Sequence, residues 1–350
     1  MNPVASAPPF DASRRRLAMG GLGLAMGACL AAWPVAGRAR TQPLRLRMSR
    51  PLMGTQVDIA VQGNDGDALE AAQRAAFDRM AALAGVMSHY EATSRVNAIN
   101  LAAGLMPVAV EPELMQVLSM ARRVSRRTGG AFDVTIGSVG RWHFDAKNPS
   151  MPAPDYIASH LRDVDWRKLV LDERAGTAYL ARRGMRVDLG GIAKLYILQA
   201  GLDTLRSHGV KSALINGGGD VIAMSDGAVR PWKVGVRDPR APGTLLATLD
   251  LRDGFVASSG DYERCFERAG RRFHHVLDPK TGYPSQGPHG VTLVGPDLES
   301  VNGLGAAAMI LRTNEQRELL LGTKGVDALV AGRDGRLWTT PGMRTRLAAA

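Results

Sequence analysis

Cysteine is scarce in this chain: 350 residues hold only Cys29 and Cys265. That excludes a disulfide framework, so stability must come from a hydrophobic core. Cys265 reads as a structural thiol rather than a nucleophile. Aromatic residues make up only 5% of the chain, and no run of five basic residues occurs. With little to stack bases on and no basic stripe, no nucleic-acid partner is expected. Long hydrophobic runs are missing too: the apolar stretch from Met19 to Trp33 is shorter than the roughly 20 residues of a spanning helix. No internal repeat or low-complexity segment appears.

What is present begins with a leader. Ser13-Arg14-Arg15-Arg16 precedes that apolar stretch, and Pro34-Val35-Ala36-Gly37-Arg38-Ala39 closes it with small residues before a cut after Ala39. The pattern predicts a twin-arginine-type export signal over residues 1–39 and a periplasmic location, or the outer face of the cytoplasmic membrane. An uncleaved anchor, or a lipoprotein cut before Cys29, are the alternatives. Residues 40–50 read as a basic linker and 51–345 as the folded domain, long enough for one large unit or two modest ones. The formal charge is +11, of which the leader carries +3 through four arginines and one aspartate, leaving +8 spread diffusely. That balance suits an anionic ligand.

Period-two patterning predicts a strand over 51–62, with Met53, Thr55, Val57 and Ile59 on one face. Apolar residues at helical spacing predict helices over 67–84 and 112–127, the second stopped by Thr128-Gly129-Gly130. Residues 145–163 read as a surface insertion. Short strands follow at 169–171, 177–180 and 185–189, then a helix from Gly190-Gly191 to about Ser207. Further strands fall at 213–216, 221–224, 232–236, 245–250, 254–258 and 272–276. A last core strand at 291–294 precedes a helix near 300–311. Elements interleave irregularly rather than as repeated βαβ units, which predicts α+β with mixed or antiparallel sheets.

Four segments concentrate polar chemistry. Asp188-Leu189-Gly190-Gly191 leads into a helix that carries Lys194; helix N-termini offer free N–H groups and partial positive charge to phosphate, though Gly-Gly is also ordinary turn punctuation. Asn216-Gly217-Gly218-Gly219-Asp220 lacks the dinucleotide fingerprint and reads better as a tight hairpin turn. Ser258-Ser259-Gly260-Asp261-Tyr262-Glu263-Arg264 is a polar loop after an apolar strand. His274-His275 place their rings on opposite faces of a strand. One of them near Asp278 could be poised as a general base, or could be a hydrogen-bonded core histidine.

These segments resemble, in this order, the ApbE-type FAD:protein FMN transferases. So do Met53-Gly54-Thr55, Ser88-His89-Tyr90 with Ser94 and Asn100, Thr128-Gly129-Gly130-Ala131-Phe132-Asp133, and Trp232 to Pro239. The resemblance spans roughly residues 50–345. It implies a T-fold-like α+β architecture with an FAD groove, and FMN transfer from FAD to a Thr or Ser hydroxyl of a flavin-accepting respiratory or redox protein, with AMP released. It implies FAD contacts at Met53, Tyr90, Ala131, Phe132, Asp133, Asp188, Lys194 and Leu277, with His275 acting near the attacking hydroxyl. It also implies a Mg²⁺ ion at Gly191, Asn302 and Ala306.

Here the chain departs from the family pattern. The metal helix Ala-Asp-Ala-Leu-Ala-Thr-Ala reads Val301-Asn302-Gly303-Leu304-Gly305-Ala306-Ala307, so Asn and Ala stand where Asp and Thr are usual. Glu299, three residues before Asn302, is a possible substitute ligand. Leu195 stands where Gly usually follows the lysine. The alternative function is therefore a non-catalytic FAD-binding or flavin-delivery protein without the Mg²⁺ site; a metal-assisted FAD pyrophosphatase is a third. All these readings require the turn after Asp188 to face His275 across one cleft.

Overall fold

Alternation along single strands explains how the main sheet is covered on both faces. In the strand Asp220–Met224, Ile222 and Met224 join one core cluster while Val221 and Ala223 join another. A strand buried on both sides needs apolar residues on both faces, and this one has them from Val221 to Met224. The computed structural model describes residues 43–348, apart from 146, 228, 229 and 242. The expected leader, with Cys29, lies outside the described residues.

Eight strands form the sheet, and they lie side by side in chain order. They are Leu44–Leu52 (β1), Thr55–Gly63 (β2), Ser212–Gly217 (β3), Asp220–Met224 (β4), Gly254–Gly260 (β5), Gly290–Gly295 (β6), Asp327–Ala331 (β7) and Leu337–Thr339 (β8). Every neighbouring pair is antiparallel. β1 is an edge strand, with exposed Arg45, Arg47 and Pro51 alternating with half-buried Leu46, Arg50 and Leu52. The α+β, antiparallel expectation holds.

Three long helices lie on one side: Gly66–Met87 (α1) and Ala193–Ser207 (α3) pack on the sheet, and Pro112–Arg127 (α2) packs on α1 and on the strand Leu169–Asp172. α1 starts where Asp65 accepts the Ala68 N–H, the usual N-cap arrangement. Its Leu69, Ala72, Ala76 and Met80 pack with Ile59 of β2 and Leu198 and Leu202 of α3. Burying each of the Leu, Ile and Met side chains contributes roughly 1.5–3 kcal/mol. On the other face lies a hairpin of Trp232–Arg237 and Leu245–Leu251, whose inward Trp232, Val234 and Val236 alternate with exposed positions.

Several boundaries move. Residues 44–50, expected as linker, are β1; the chain reverses at Met53 and Gly54, both at positive φ (54° and 70°), before β2. The predicted single strand over 51–62 therefore covers the end of β1, the turn and most of β2. Residues 185–189 form no strand, only a bridge between Ile136 and Arg186. The expected insertion 145–163 contains the helix Pro154–His160. Its Ile157 is 1% exposed and joins a third cluster with Val139, Trp142, Phe266 and Phe273. β6 is not the last core strand, because β7 and β8 extend the sheet. The helix near 300–311 is broken into Leu298–Val301 and Leu304–Ala308 by Asn302 and by Gly303 at φ 72°.

Candidate active site

The site forms at one end of the sheet. There the Met53-Gly54 turn, Asp220 at the start of β4, the end of β5 and the start of α3 line a single cleft of about 1870 Å³. Pockets for drug-sized ligands run roughly 300–1,000 Å³, so this one has room for a dinucleotide and more.

Local structure explains why each wall stands where it does. The β3–β4 turn is Gly218-Gly219, with φ 66° and 97°, between the paired Gly217 and Asp220. Two positive φ values match the twist of a two-residue hairpin, as the glycine-rich segment predicted. Thr128 holds the next wall: its hydroxyl donates to the Val124 carbonyl and accepts the Phe132 N–H, turning the chain through Gly129 and Gly130. Ala131 and Phe132 then face the cleft. Asp133 lines it too, but its carboxylate accepts from the Thr135 N–H and hydroxyl and from the Trp166 N–H. That side chain braces its own loop.

The Asp188 segment is fastened from the side. Asn100 accepts the Val187 N–H at 2.7 Å and donates to the Val187 carbonyl at 3.1 Å, replacing the strand partner this stretch lacks. Asp188 accepts the Gly190 N–H at 2.8 Å, closing the turn into α3. No side chain caps α3, so its N-terminal end is left for a ligand. Lys194 in its first turn reaches Asp220 at 3.1 Å, and Asp220 also accepts the Ser258 N–H. Burial pushes the nearby Glu263 carboxyl up, against the pull of Lys194.

His275 opens onto this cleft, so the required juxtaposition with the Asp188 turn is met. Arg264, on the same wall, acts on both: it helps hold the Asp188 carboxyl down and the His275 imidazole down. Burial is the main cause for His275, whose pKa falls to about 3, with Arg264, His274 and Lys194 adding to it. Burial alone would raise Asp188, but hydrogen bonds from His89 and Gly190 outweigh it. His274 points the other way, into the core, with its Nε2 on the Ser285 carbonyl. Neither histidine pairs with Asp278, whose side chain instead accepts the Lys280 N–H of its own turn. The histidine–carboxylate pair in the cleft is His89 with Asp188, Nδ1 to Oδ1 at 3.1 Å. The motif Ser88-His89-Tyr90 marked the place, and Arg264 lay in a quoted segment, but sequence alone gave neither a role.

Tyr90 is exposed at the rim, its ring 3.9 Å from that of His89 and 5.7 Å from the Arg141 guanidinium. Met53 and Leu277 supply apolar wall. Leu195 is buried in the main core as well as touching the cleft, so it packs. Cys265 is half-buried, with its thiol near the Tyr262 carbonyl and its pKa pushed up by burial, which does not favour a nucleophilic thiolate.

Gly191, Asn302 and Ala306 do come together: a Cβ built on Gly191 would lie 4.0 Å from that of Ala306. Asn302, however, is 2% exposed and donates its amide to the Ile192 carbonyl at 2.8 Å. A hard cation needs several oxygen donors, carboxylate above all, and these side chains offer neither carboxylate nor hydroxyl. Glu299 is not a substitute. The helix ends at Val301, and the Glu299 carboxylate turns outward to pair with Arg123. Among the described residues no cluster of three His, Cys, Asp or Glu suits a metal. The residues present do not fit Mg²⁺.

The sequence model of the ApbE family matches residues 53–330. The chain belongs to the ApbE family. A Treponema pallidum protein named FAD:protein FMN transferase is 34% identical over 75% of this chain and 77% of its own length. A Klebsiella pneumoniae protein of the same name is 31% identical over 81% and 90%. Among solved structures, the ApbE protein of Thermotoga maritima superposes with TM-score 0.78 at 27% identity, covering 87% of this chain and 99% of that one. The apo flavinyl transferase ApbE of Pseudomonas stutzeri, at 23% identity, shares the fold with TM-score 0.74. The ApbE match begins at Met53, inside the first hairpin of the sheet, and takes in every wall of the cleft.

Proposed function

We propose that this chain is an FAD:protein FMN transferase. It would move FMN from FAD to a Thr or Ser hydroxyl of a flavin-accepting respiratory or redox protein and release AMP. The observation that carries the reading is the convergence, in one cleft, of the Asp188 turn, the uncapped start of α3, Lys194, Arg264 and His275. Breaking a pyrophosphate builds charge on phosphate oxygens, and preorganised N–H groups and cations aimed at that charge are the usual largest source of acceleration. His275, kept uncharged by burial, can accept or donate one hydrogen bond to the reacting groups without adding charge. Tyr90, Met53 and Leu277 offer the apolar and aromatic surface that suits a flavin ring.

The partner's location is read from the leader: an exported enzyme acts on a periplasmic protein or one at the outer face of the cytoplasmic membrane. Magnesium remains the family's expectation, and no step is drawn through it, because the side chains at Asn302 and Ala306 lack the donors. That same lack favours the second reading, a flavin-binding or delivery protein without turnover.

The test is incubation of the purified chain with FAD and a candidate acceptor subunit, with and without Mg²⁺. Covalent flavin fluorescence on the acceptor in a denaturing gel selects the transferase. AMP without label selects a pyrophosphatase, and bound but intact FAD selects the delivery protein. No binding of FAD at high micromolar concentration discards them all.

A further inference from the structure

Large apolar side chains are exposed unevenly over this surface. Leu101, Leu105 and Met106 are 76%, 59% and 63% exposed, within six consecutive positions. Single exposed apolar residues are ordinary, whereas a cluster of them marks an interaction surface. These three stand where the helix Arg95–Leu101 ends and the chain reverses through Gly104 at φ 70°. The Gly104 N–H donates to the Leu180 carbonyl at 2.8 Å, and a Cβ on Gly104 would lie 2.4 Å from the Arg183 nitrogen. The reversal is thus seated on the segment that carries Arg182 and Arg183, both exposed. Arg182 donates to the Arg162 carbonyl at 3.0 Å, so a third exposed arginine lies beside them. Among the described residues none of these three arginines forms an ion pair. Residues 161–186 carry seven basic and four acidic side chains, and one of the acids, Asp163, is buried, so the patch is positively charged.

We propose that this patch docks the chain on an anionic lipid bilayer. Leu101, Leu105 and Met106 enter the boundary between headgroups and acyl chains, and Arg162, Arg182 and Arg183 meet the lipid phosphates. Shape and residue type favour lipid over a protein partner. The three apolar side chains stand out on a chain reversal, and none of them lines the cleft. A bilayer takes protruding side chains without a matching pocket. Protein hot spots favour aromatic anchors set in pockets and under-represent Leu. The patch also borders the site: Asn100, one residue before Leu101, and Arg186, three after Arg183, both line the cleft. Docking would therefore hold one wall of the cleft near the membrane surface, within reach of a membrane-bound acceptor. The inference does not rest on the transferase reading, because lipid binding needs neither FAD nor acceptor.

The test is co-sedimentation with vesicles of phosphatidylcholine alone or mixed with phosphatidylglycerol. It uses residues 40–350, which hold every element of the fold described above, so the apolar stretch of the leader cannot bind lipid in the patch's place. Binding to the anionic vesicles and not to the neutral ones is expected. Leu101→Ser with Leu105→Ser and Met106→Ser should weaken it by about tenfold or more at unchanged Tm, because all three side chains are exposed. Arg182→Gln with Arg183→Gln should weaken it by about tenfold at low salt and by less at high salt. No binding to anionic vesicles overturns the proposal, and so does equal binding to neutral ones. Affinity unchanged in both variants overturns it as well. Absence of lipid binding, together with capture of an acceptor subunit that the triple serine variant loses, would assign the patch to a protein instead.

Discussion

Asn302 gives its side-chain amide to the carbonyl of Ile192, 2.8 Å away, at the place where the family pattern would put a carboxylate on a cation. The amide thus does by hydrogen bonding what an ion would do by charge: it ties the broken helix of residues 298–308 to the start of α3. Asn302→Asp alone should face a carboxylate toward that carbonyl and lower stability by about 1–3 kcal/mol, read as a fall in Tm. Asn302→Asp with Ala306→Thr should recover part of that loss on adding Mg²⁺ and make turnover Mg²⁺-dependent. An unchanged Tm with and without Mg²⁺ would mean that no cation site was rebuilt.

Lys194→Met should weaken FAD binding by about tenfold, equivalent to about 1.4 kcal/mol, because it removes the cation of the α3 first turn and leaves Asp220 uncompensated. Titration of flavin fluorescence measures it. Equal affinity for the variant would place the diphosphate elsewhere in the cleft.

His275 makes stability depend on pH. Its folded pKa, about 3, lies below the ordinary value of 6.5, so between those limits the unfolded chain binds the extra proton. Stability should therefore rise with pH through this window, by up to roughly 1.4 kcal/mol per pH unit for one proton. His275→Gln should show a shallower rise of Tm between pH 4.5 and 6.5. Parallel curves for the two proteins would contradict the burial of this ring. His274, also held down chiefly by burial, contributes in the same sense and remains in both.

Gly218→Ala should destabilise the chain by about 1–3 kcal/mol. Its φ of 66° disfavours a side chain, and a Cβ would lie 2.6 Å from the Thr55 hydroxyl oxygen. Denaturant melts measure the loss. A second change, Thr55→Ala, should relieve the contact but not the backbone strain, so it should restore only part of the stability.

Long periodic elements were legible in the sequence. The helix over 112–127 falls where its apolar spacing placed it, and the Gly218-Gly219 hairpin where its glycines did. The family motifs marked the walls of the cleft, from Met53 to Leu277. What escaped was set by contacts distant in sequence. Leu44 to Arg50 looked like linker because an edge strand buries only alternate residues. The strand expected at 185–189 is held by the Asn100 side chain instead of a ladder. The pairing of His89 with Asp188 joins residues 99 positions apart, which no local pattern announces. Asn302 was recognisable as a substitution, but its amide is engaged with the Ile192 carbonyl, a contact set by the fold and not by local sequence.

β1 ends the sheet on one side with a row of backbone groups that another strand could join. Along that border Pro51 withholds an N–H near its close, so a strand added there would find one ladder bond missing. Arg47 turns back onto Asp58 of β2 at 3.0 Å, and the Arg45 guanidinium lies over the Trp232 ring at 5.3 Å. The basic stretch that, on paper, seemed to be only a tether therefore fastens the sheet's border to its neighbouring strand and to the hairpin on the far face.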